Sequence, residues 1–289
     1  MKYGLSAFVA AETNTPGEKA IPPVDLGRAA EERGFDSVFV AEHTHIPAQE
    51  IALPDGGDMP RYFSHMLDPF VALTAMAVTT TRIRLGTGVT LLSTRDPIVT
   101  AKAAASLDLI SGGRLEFGVG TGWITEEVRN HGTDPARRFA VLRERLIAIT
   151  RIWAGEVAEF HGEYVDFGPL YSWPKPVQRP RPPVLLGGWS PRMARRVLDL
   201  ADGWMLPPLW DLDRVEAEVT ALRRLAAERG VPAPAVSFFV TEGSREELDR
   251  AAALGPERVL FFADPWTRDD TLRRLDTWRA AMESWQGAA

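Results

Sequence analysis

The chain has 289 residues, of which 45% are hydrophobic and 25% charged, a composition typical of a folded globular protein. Its 33 Lys and Arg residues against 39 Asp and Glu residues give a formal net charge of −6, which argues against a basic surface for nucleic acid. Cysteine is absent, which excludes disulfides, thiolate nucleophiles and iron–sulfur clusters.

The first eleven residues carry one lysine and a brief apolar stretch before Glu12, so they favour a buried first strand over a signal peptide. No apolar run approaches the roughly 18 residues that a membrane span needs. We therefore expect a cytoplasmic protein without a membrane partner.

Short apolar runs alternate with longer helical patterns along the chain, which predicts repeated strand–helix units. The predicted strands are 4–9, 37–41, 84–90, 115–119, 184–186, 203–206, 236–240 and 258–262. The predicted helices that follow them are 22–33, 68–80, 97–110, 135–153, 191–200, 212–229, 245–254 and 269–282.

Eight consecutive strand–helix units predict a (β/α)₈ barrel that forms one domain over residues 1–289. A doubly wound sheet with fewer strands is the alternative. The segment 154–183 is rich in Gly, Pro and aromatic residues and interrupts the alternation between the fourth and fifth strands. We expect an inserted excursion there, with a small hairpin over 158–167, that serves as a lid or a subunit contact.

A barrel of this kind carries its chemistry at the carboxyl ends of its strands. The second strand ends in Glu42, His43, Thr44 and His45. Glu42 and His43 are a candidate acid/base unit, because histidine titrates near neutrality and a carboxylate can orient it. His43 and His45 would point the same way on an extended segment, so a metal-dependent hydrolase is an alternative. Without further histidines at strand ends, we predict no metal.

The third, fourth and fifth strands end in glycines, which let the backbone approach a ligand. Gly86 and Gly88 indicate a bulge or the filling of the barrel interior. The glycines at 118, 120 and 122 lack the full dinucleotide-binding spacing, but they suit a loop beside a flat or anionic ligand, with Thr121 as a hydroxyl donor.

The segment 187–192 combines two glycines with a predicted helix start. Ser190 is a good helix cap and Pro191 a good first helical residue, so free amides and Arg192 predict an anion site. A tight turn alone is the alternative for Gly187 and Gly188. Three tryptophans near strand ends indicate either a pocket for a planar group or barrel packing: Trp123, Trp189 and Trp204.

Several motifs occur in the order and spacing of one enzyme superfamily. They are Glu42-His43-Thr44, Asp68-Pro69-Phe70, Leu85-Gly86-Thr87-Gly88-Val89, Ser111-Gly112-Gly113-Arg114-Leu115, Gly118-Val119-Gly120-Thr121-Gly122-Trp123 and Leu200-Ala201-Asp202-Gly203-Trp204. Over about residues 1–210 the chain resembles the luciferase-like monooxygenase superfamily, and most of all its branch of oxidoreductases that use the deazaflavin coenzyme F420.

The resemblance implies a (β/α)₈ barrel that holds a flavin or deazaflavin at its carboxyl-terminal rim. His43 would lie beside the hydride-carrying edge of the ring and act in catalysis, and Glu42 would help to hold the cofactor. A bulge with a cis peptide at Gly88–Val89 would lie behind the ring. The remaining positions implied to contact the cofactor are Thr121, Gly122, Gly187, Gly188 and Ser190. Relatives often form homodimers.

One position departs from the superfamily pattern. In the sugar-phosphate dehydrogenases of this branch a catalytic glutamate follows the Thr-Gly pair, and here that position is Trp123. Glu126 and Glu127 could replace it only through a different geometry. The tryptophan favours an apolar or aromatic substrate.

We therefore predict an enzyme that transfers a hydride between F420 and a small organic substrate. An FMN-dependent monooxygenase of the same superfamily is the main alternative, and a non-catalytic cofactor-binding protein is a further one.

Overall fold

A computed structural model describes residues 1–49, 51–54, 56–207, 211–240 and 242–287. The strands in this part of the chain are β1 (Lys2–Ala7), β2 (Ser37–Val40), β3 (Arg84–Thr87), β4 (Thr90–Leu91), β5 (Leu115–Gly120), β6 (Val157–His161), β7 (Asp166–Tyr171), β8 (Val184–Gly187), β9 (Gly203–Met205), β10 (Ala235–Val240) and β11 (Arg258–Ala263). The helices are α1 (Pro23–Glu32), α2 (Pro69–Ala77), α3 (Pro97–Ile110), α4 (Thr125–Asn130), α5 (Arg138–Ala154), α6 (Met193–Leu200), α7 (Leu212–Glu228), α8 (Arg245–Ala253) and α9 (Arg268–Gln286).

Parallel strands pair around a closed ring. The order of neighbours is β3, β2, β1, β11, β10, β9, β8, β5, and β5 pairs back to β3, so the described strands leave no free edge in this ring. Helices follow the strands and pack their apolar faces against them. All four side chains of β2, for example, are buried. The predicted (β/α)₈ barrel is confirmed.

The predicted third strand, 84–90, is interrupted in the structure. β3 ends at Thr87 and β4 begins at Thr90, and the peptide between Gly88 and Val89 is cis, as the resemblance implied. The amide of Gly88 still donates to the carbonyl of Val40, at 2.7 Å. The chain therefore stays attached to β2 while Val89 lies over the end of the barrel.

The barrel interior has a charged base and an apolar middle. At the amino ends of the strands, the buried carboxylate of Glu116 pairs with Arg258 at 2.9 Å and with Arg84 at 2.9 Å. Above this base lies a cluster of buried apolar side chains: Phe39, Leu185, Met205 and Leu260. The base closes the end of the barrel that is opposite to the predicted site.

The excursion between α5 and β8 contains an antiparallel hairpin, β6–β7, which is longer than the predicted hairpin at 158–167. The Glu144 carboxylate of α5 accepts the amides of Glu163, Tyr164 and Val165 at 2.7 to 3.1 Å and so holds the hairpin turn against the barrel. Within the described ranges, no helix is both long and apolar enough to cross a membrane.

Candidate active site

The imidazole of His43 lies just beyond β2 and contacts a carboxylate from α4. Nδ1 of His43 is 2.7 Å from Oε2 of Glu127, and their side chains are 6% and 0% exposed. A carboxylate only accepts, so Nδ1 carries the proton and Nε2 is the nitrogen left to exchange one. No side chain or amide in the described residues hydrogen-bonds to Nε2.

The second oxygen of Glu127 is held by the residue that follows the histidine. The amide of Thr44 donates to Oε1 at 2.8 Å and its hydroxyl lies 3.1 Å from the same atom. Burial alone would raise the pKa of Glu127, but the hydrogen bonds from His43 and Thr44 outweigh it and lower the pKa. Glu127 is therefore an ionised carboxylate that fixes the orientation of the imidazole.

Glu42 has other partners than the predicted one. Its Oε1 lies 2.5 Å from Nε of Arg95, its Oε2 accepts the amide of Leu91 at 3.0 Å, and Arg95 also pairs with Asp68. Burial raises the pKa of Glu42, and the Arg95 guanidinium opposes that rise. The structure thus replaces the predicted Glu42–His43 pair by a Glu127–His43 pair. The predicted contact of Glu42 with a cofactor stays a prediction.

The ends of three strands meet around Val89. A Cβ added to Gly120 would lie 2.5 Å from Cγ2 of Val89, and one added to Gly187 would lie 2.5 Å from Cγ1. Gly88 approaches the sulfur of Met205, which would be 3.7 Å from a Cβ at that position. Val89 is partly exposed and forms the floor of the candidate site, and glycines leave room for it.

Aromatic rings continue from His43 across the same end of the barrel. The His43 ring lies 5.4 Å from Phe63 and 5.8 Å from Trp123, which meets it edge-on at 88°. We call the following set the aromatic wall: Phe8, Tyr62, Phe63, Trp123, Phe239 and Phe262. Of these residues, Phe262 ends the predicted strand 258–262 and Phe8 lies one position before the end of the predicted strand 4–9, so their position near the rim could be predicted from the sequence.

Beyond β5, the two predicted cofactor positions form a turn. The carbonyl of Thr121 accepts the hydroxyl of Ser93 at 2.6 Å, and the hydroxyl of Thr121 lies 3.4 Å from the carbonyl of Gly122. Gly122 has φ of +72°, a conformation that favours glycine. Their contact with a cofactor stays a prediction.

Beyond β8 the predicted helix start is wrong. Helix α6 begins at Met193, not Pro191, and no side chain caps it. The Ser190 hydroxyl instead accepts Nη1 of Arg196 at 2.6 Å, and its carbonyl accepts the amide of Met193 at 2.9 Å. Gly188 has φ of +99° and open space where a side chain would lie.

A cavity of about 290 Å³ lies between α6 and α7, beside Ser190. Three arginines line it, Arg192, Arg195 and Arg224, together with one carboxylate, Glu218. Arg224 is paired with Glu228 at 3.3 Å, so Arg192 and Arg195 supply the excess of positive charge, which suits an anion such as phosphate.

Among the described residues, Trp123 is the one tryptophan with a ring contact to His43, and two other histidines reach the His43–Glu127 pair through Thr44, whose hydroxyl lies 3.0 Å from Nδ1 of His45 and 2.8 Å from Nε2 of His131. His45 contacts Asn130 at 2.9 Å, and its ring lies 5.5 Å from that of His131. In the part of the chain that the structure describes, no three His, Cys, Asp or Glu residues are placed to hold a metal ion. Trp204 is fully buried, and Trp189 is 41% exposed with its indole on Glu218. Trp123 alone of the three tryptophans therefore lies against His43.

Comparisons with known proteins show the family and the fold of the chain. The family described as luciferase-like monooxygenase matches residues 1–286. An uncharacterised protein of Mycobacterium tuberculosis is 40% identical over 289 residues, which cover 98% of this chain and 99% of that protein. The structure of the monooxygenase RslO1 from Streptomyces bottropensis superposes with a TM-score of 0.80 at 21% identity and covers 98% of this chain and 99% of that one, a likeness of fold.

Two more distant relatives have named activities. The F420-dependent glucose-6-phosphate dehydrogenase of Nakamurella multipartita is 36% identical over 211 residues, 71% of this chain and 56% of that protein. The FMNH2-dependent dimethylsulfone monooxygenase of Pseudomonas putida is 31% identical over 173 residues, 58% of this chain and 47% of that protein. The chain belongs to the luciferase-like monooxygenase family, whose members are F420- or FMN-dependent oxidoreductases.

Proposed function

We propose that the protein transfers a hydride between coenzyme F420 and a small organic substrate at the carboxyl-terminal rim of the barrel. The observation that carries the proposal is the imidazole of His43, whose Nδ1 is held by the buried carboxylate of Glu127 and whose ring lies among Phe63 and Trp123. One polar group that can exchange a proton, set among apolar rings, suits a reaction in which a proton accompanies a hydride.

The residues at the rim fit such a cofactor. The glycines on either side of the floor accommodate the side chain of Val89, so a flat ring would lie over this floor, and the arginine-lined cavity beside Ser190 suits the phosphate. The residues that would hold the group are Gly88, Val89, Thr121, Gly122, Gly187, Gly188 and Ser190. When bound, the deazaflavin supplies the carbon that accepts or donates the hydride.

The chain itself supplies the proton and the environment. Nε2 of His43 takes the proton from a substrate hydroxyl or returns it to a carbonyl oxygen, while the Glu127 carboxylate stabilises the imidazolium. General acid–base catalysis of this kind contributes about 10²- to 10⁴-fold to a rate. The rings of the aromatic wall limit the access of water to the reacting atoms.

An FMN-dependent monooxygenase is the second candidate. It is supported by the similarity to the P. putida relative, which is named as an FMNH2-dependent monooxygenase. The same floor and the same anion cavity would serve both cofactors, because both carry a flavin-like tricyclic ring and a phosphate. Consumption of oxygen in the presence of reduced FMN would support this second function.

Separate titrations of the purified protein with F420 and with FMN, followed by fluorescence quenching, test the proposal. We expect saturable F420 binding that is tighter than FMN binding, and weaker F420 binding in the double variant Arg192→Gln, Arg195→Gln. The matched control is Arg279→Gln, an arginine paired with Glu283 on α9. Absence of saturable F420 binding would overturn the proposal.

A further inference from the structure

We propose that the substrate is a neutral alcohol or carbonyl compound with apolar, preferably aromatic, substituents, and not a sugar phosphate or another anion. The inference rests on the proposed function for the reaction, and on the aromatic wall and its charges for the substrate class.

The rings form one connected apolar surface next to the imidazole. Phe8 lies 5.0 Å from Phe63, 5.3 Å from Tyr62 and 5.2 Å from Phe262, and Phe262 lies 6.1 Å from Phe239. Phe8, Phe239 and Phe262 are partly exposed, so the surface is open to a ligand on one side. Aromatic surfaces of this kind bind planar apolar groups by burial and offset stacking.

The aromatic wall has few polar atoms, and one of them already has a hydrogen-bond partner. The Tyr62 hydroxyl donates to Oδ1 of Asp264 at 2.8 Å, which removes it from the set of groups that could bind a sugar hydroxyl. Phe63 and Trp123, the two neighbours of His43, offer a single N–H between them. A polyhydroxylated substrate would lose its hydrogen bonds to water here and would gain none in return. Each hydroxyl left without a partner would raise the free energy of the bound state.

The charges beside the wall oppose an anionic substrate. Asp264 accepts the hydroxyl of Tyr62 in the wall, and Glu127 holds His43, whose ring lies against Phe63 and Trp123. Two nearby cations are paired with carboxylates, Arg61 with Glu12 at 2.6 Å and Arg95 with Glu42 and Asp68, and a third, Arg274, faces Asp264 and lies over the rings of Trp266 and Trp278. A phosphate or carboxylate on the substrate would meet these two carboxylates, while the cations described here already face carboxylates or aromatic rings.

The chemistry balances for a secondary alcohol. The C–H hydrogen would leave as a hydride, for which the deazaflavin would be the acceptor when bound; the O–H proton would pass to Nε2 of His43, and the C–O bond would become the carbonyl of a ketone. The reverse sequence reduces the ketone, with the proton returned from the imidazolium. Apolar substituents on the reacting carbon would lie against the aromatic wall.

A matched pair of ligands tests the substrate class. Acetophenone and 4-acetylbenzoate share a ring and a reacting carbonyl and differ by one carboxylate, and glucose 6-phosphate is the third probe. Saturation-transfer NMR on the protein without cofactor measures binding, and the reoxidation of reduced F420 measures turnover. We expect acetophenone to bind at least about tenfold more tightly than 4-acetylbenzoate, a difference of about 1.4 kcal/mol, and glucose 6-phosphate not to bind at all.

Variants at Phe63 test whether the aromatic wall causes the preference for acetophenone over 4-acetylbenzoate. Phe63→Leu keeps an apolar side chain and should keep the preference, whereas Phe63→Arg adds a cation and should reduce or reverse it. Trp123→Lys is the second variant with an added cation, in case Phe63→Arg does not fold. Equal or tighter binding of either anion to the wild type, or no binding of acetophenone up to its solubility, would overturn the inference.

The two proposals fail separately. Failure of the wild type to bind F420 contradicts the hydride-transfer function and leaves the ligand preference to be decided by the NMR measurement. Binding of F420 together with a preference for glucose 6-phosphate upholds the cofactor and overturns the substrate class.

Discussion

His43 and Glu127 are separated by 84 positions in the chain and by 2.7 Å in space. Glu127→Gln keeps the shape of the side chain but removes the charge that stabilises the imidazolium. We expect kcat with F420 to fall about 10²-fold while F420 affinity changes little, because general acid–base catalysis contributes on that scale. Steady-state kinetics and fluorescence titration of the same variant separate the two effects.

Glu126→Gln is the matched control, since Glu126 lies one position away and pairs with Arg129 at the surface, at 3.1 Å. Surface pairs of this kind contribute little. If both variants lose turnover equally, the effect comes from the start of α4 as a whole and not from the contact with His43.

The lowered pKa of Glu127 predicts a dependence of stability on pH. The folded protein binds a proton at Glu127 less readily than the unfolded chain, so the ionised carboxylate stabilises the fold above its ordinary pKa of 4.5. This contribution is lost as the pH falls through the lowered pKa of the folded state. The difference in free energy of unfolding between wild type and Glu127→Gln should therefore shrink between about pH 6 and about pH 3. A difference that grows as the pH falls would contradict the assignment.

At the scale of elements, the strand ends around Val89 leave no space for added atoms. Gly187→Ala would place a methyl group 2.5 Å from Val89, and we expect it to destabilise the protein by about 1–3 kcal/mol, as overpacking does. Chemical denaturation measures this. Gly168→Ala on β7, where a Cβ would meet nothing within 4 Å, should be close to neutral. A neutral Gly187→Ala would show that the floor can shift.

Periodicity in the sequence was sufficient for the order of strands and helices, because buried parallel strands and amphipathic helices have distinct patterns. The predicted start of α6 is wrong because Ser190 and Pro191 have the local signature of a helix start, whereas in the structure the serine hydroxyl accepts a hydrogen bond from Arg196. The partner of His43 was missed for a related reason. Glu42 is adjacent in sequence, whereas Glu127 reaches His43 only through the extra helix α4, which no pattern indicated.

At the scale of the whole molecule, two neighbouring helices expose apolar side chains. Val71 and Val78 on or just after α2 are each 68% exposed, and Val99 and Ile110 on α3 are 64% and 51% exposed. Strips of this kind mark contact surfaces between proteins. We expect a homodimer through α2 and α3, with a mass of twice 31.9 kDa by light scattering.

The variant Val99→Lys should shift this dimer toward the monomer. Val231→Lys is the control, because Val231 is 44% exposed after α7 and lies outside both helices. A wild-type protein that is monomeric at every concentration would contradict the expectation.

The packing of Val89 between Gly120 and Gly187 limits which substitutions such a protein can accept. Neither glycine can gain a side chain while the valine stays, and a smaller residue at 89 would leave a hole where three strands converge. New substrate preferences are therefore more accessible, to evolution or to an engineer, through the segment that carries Tyr62 and Phe63 than through the floor at Val89.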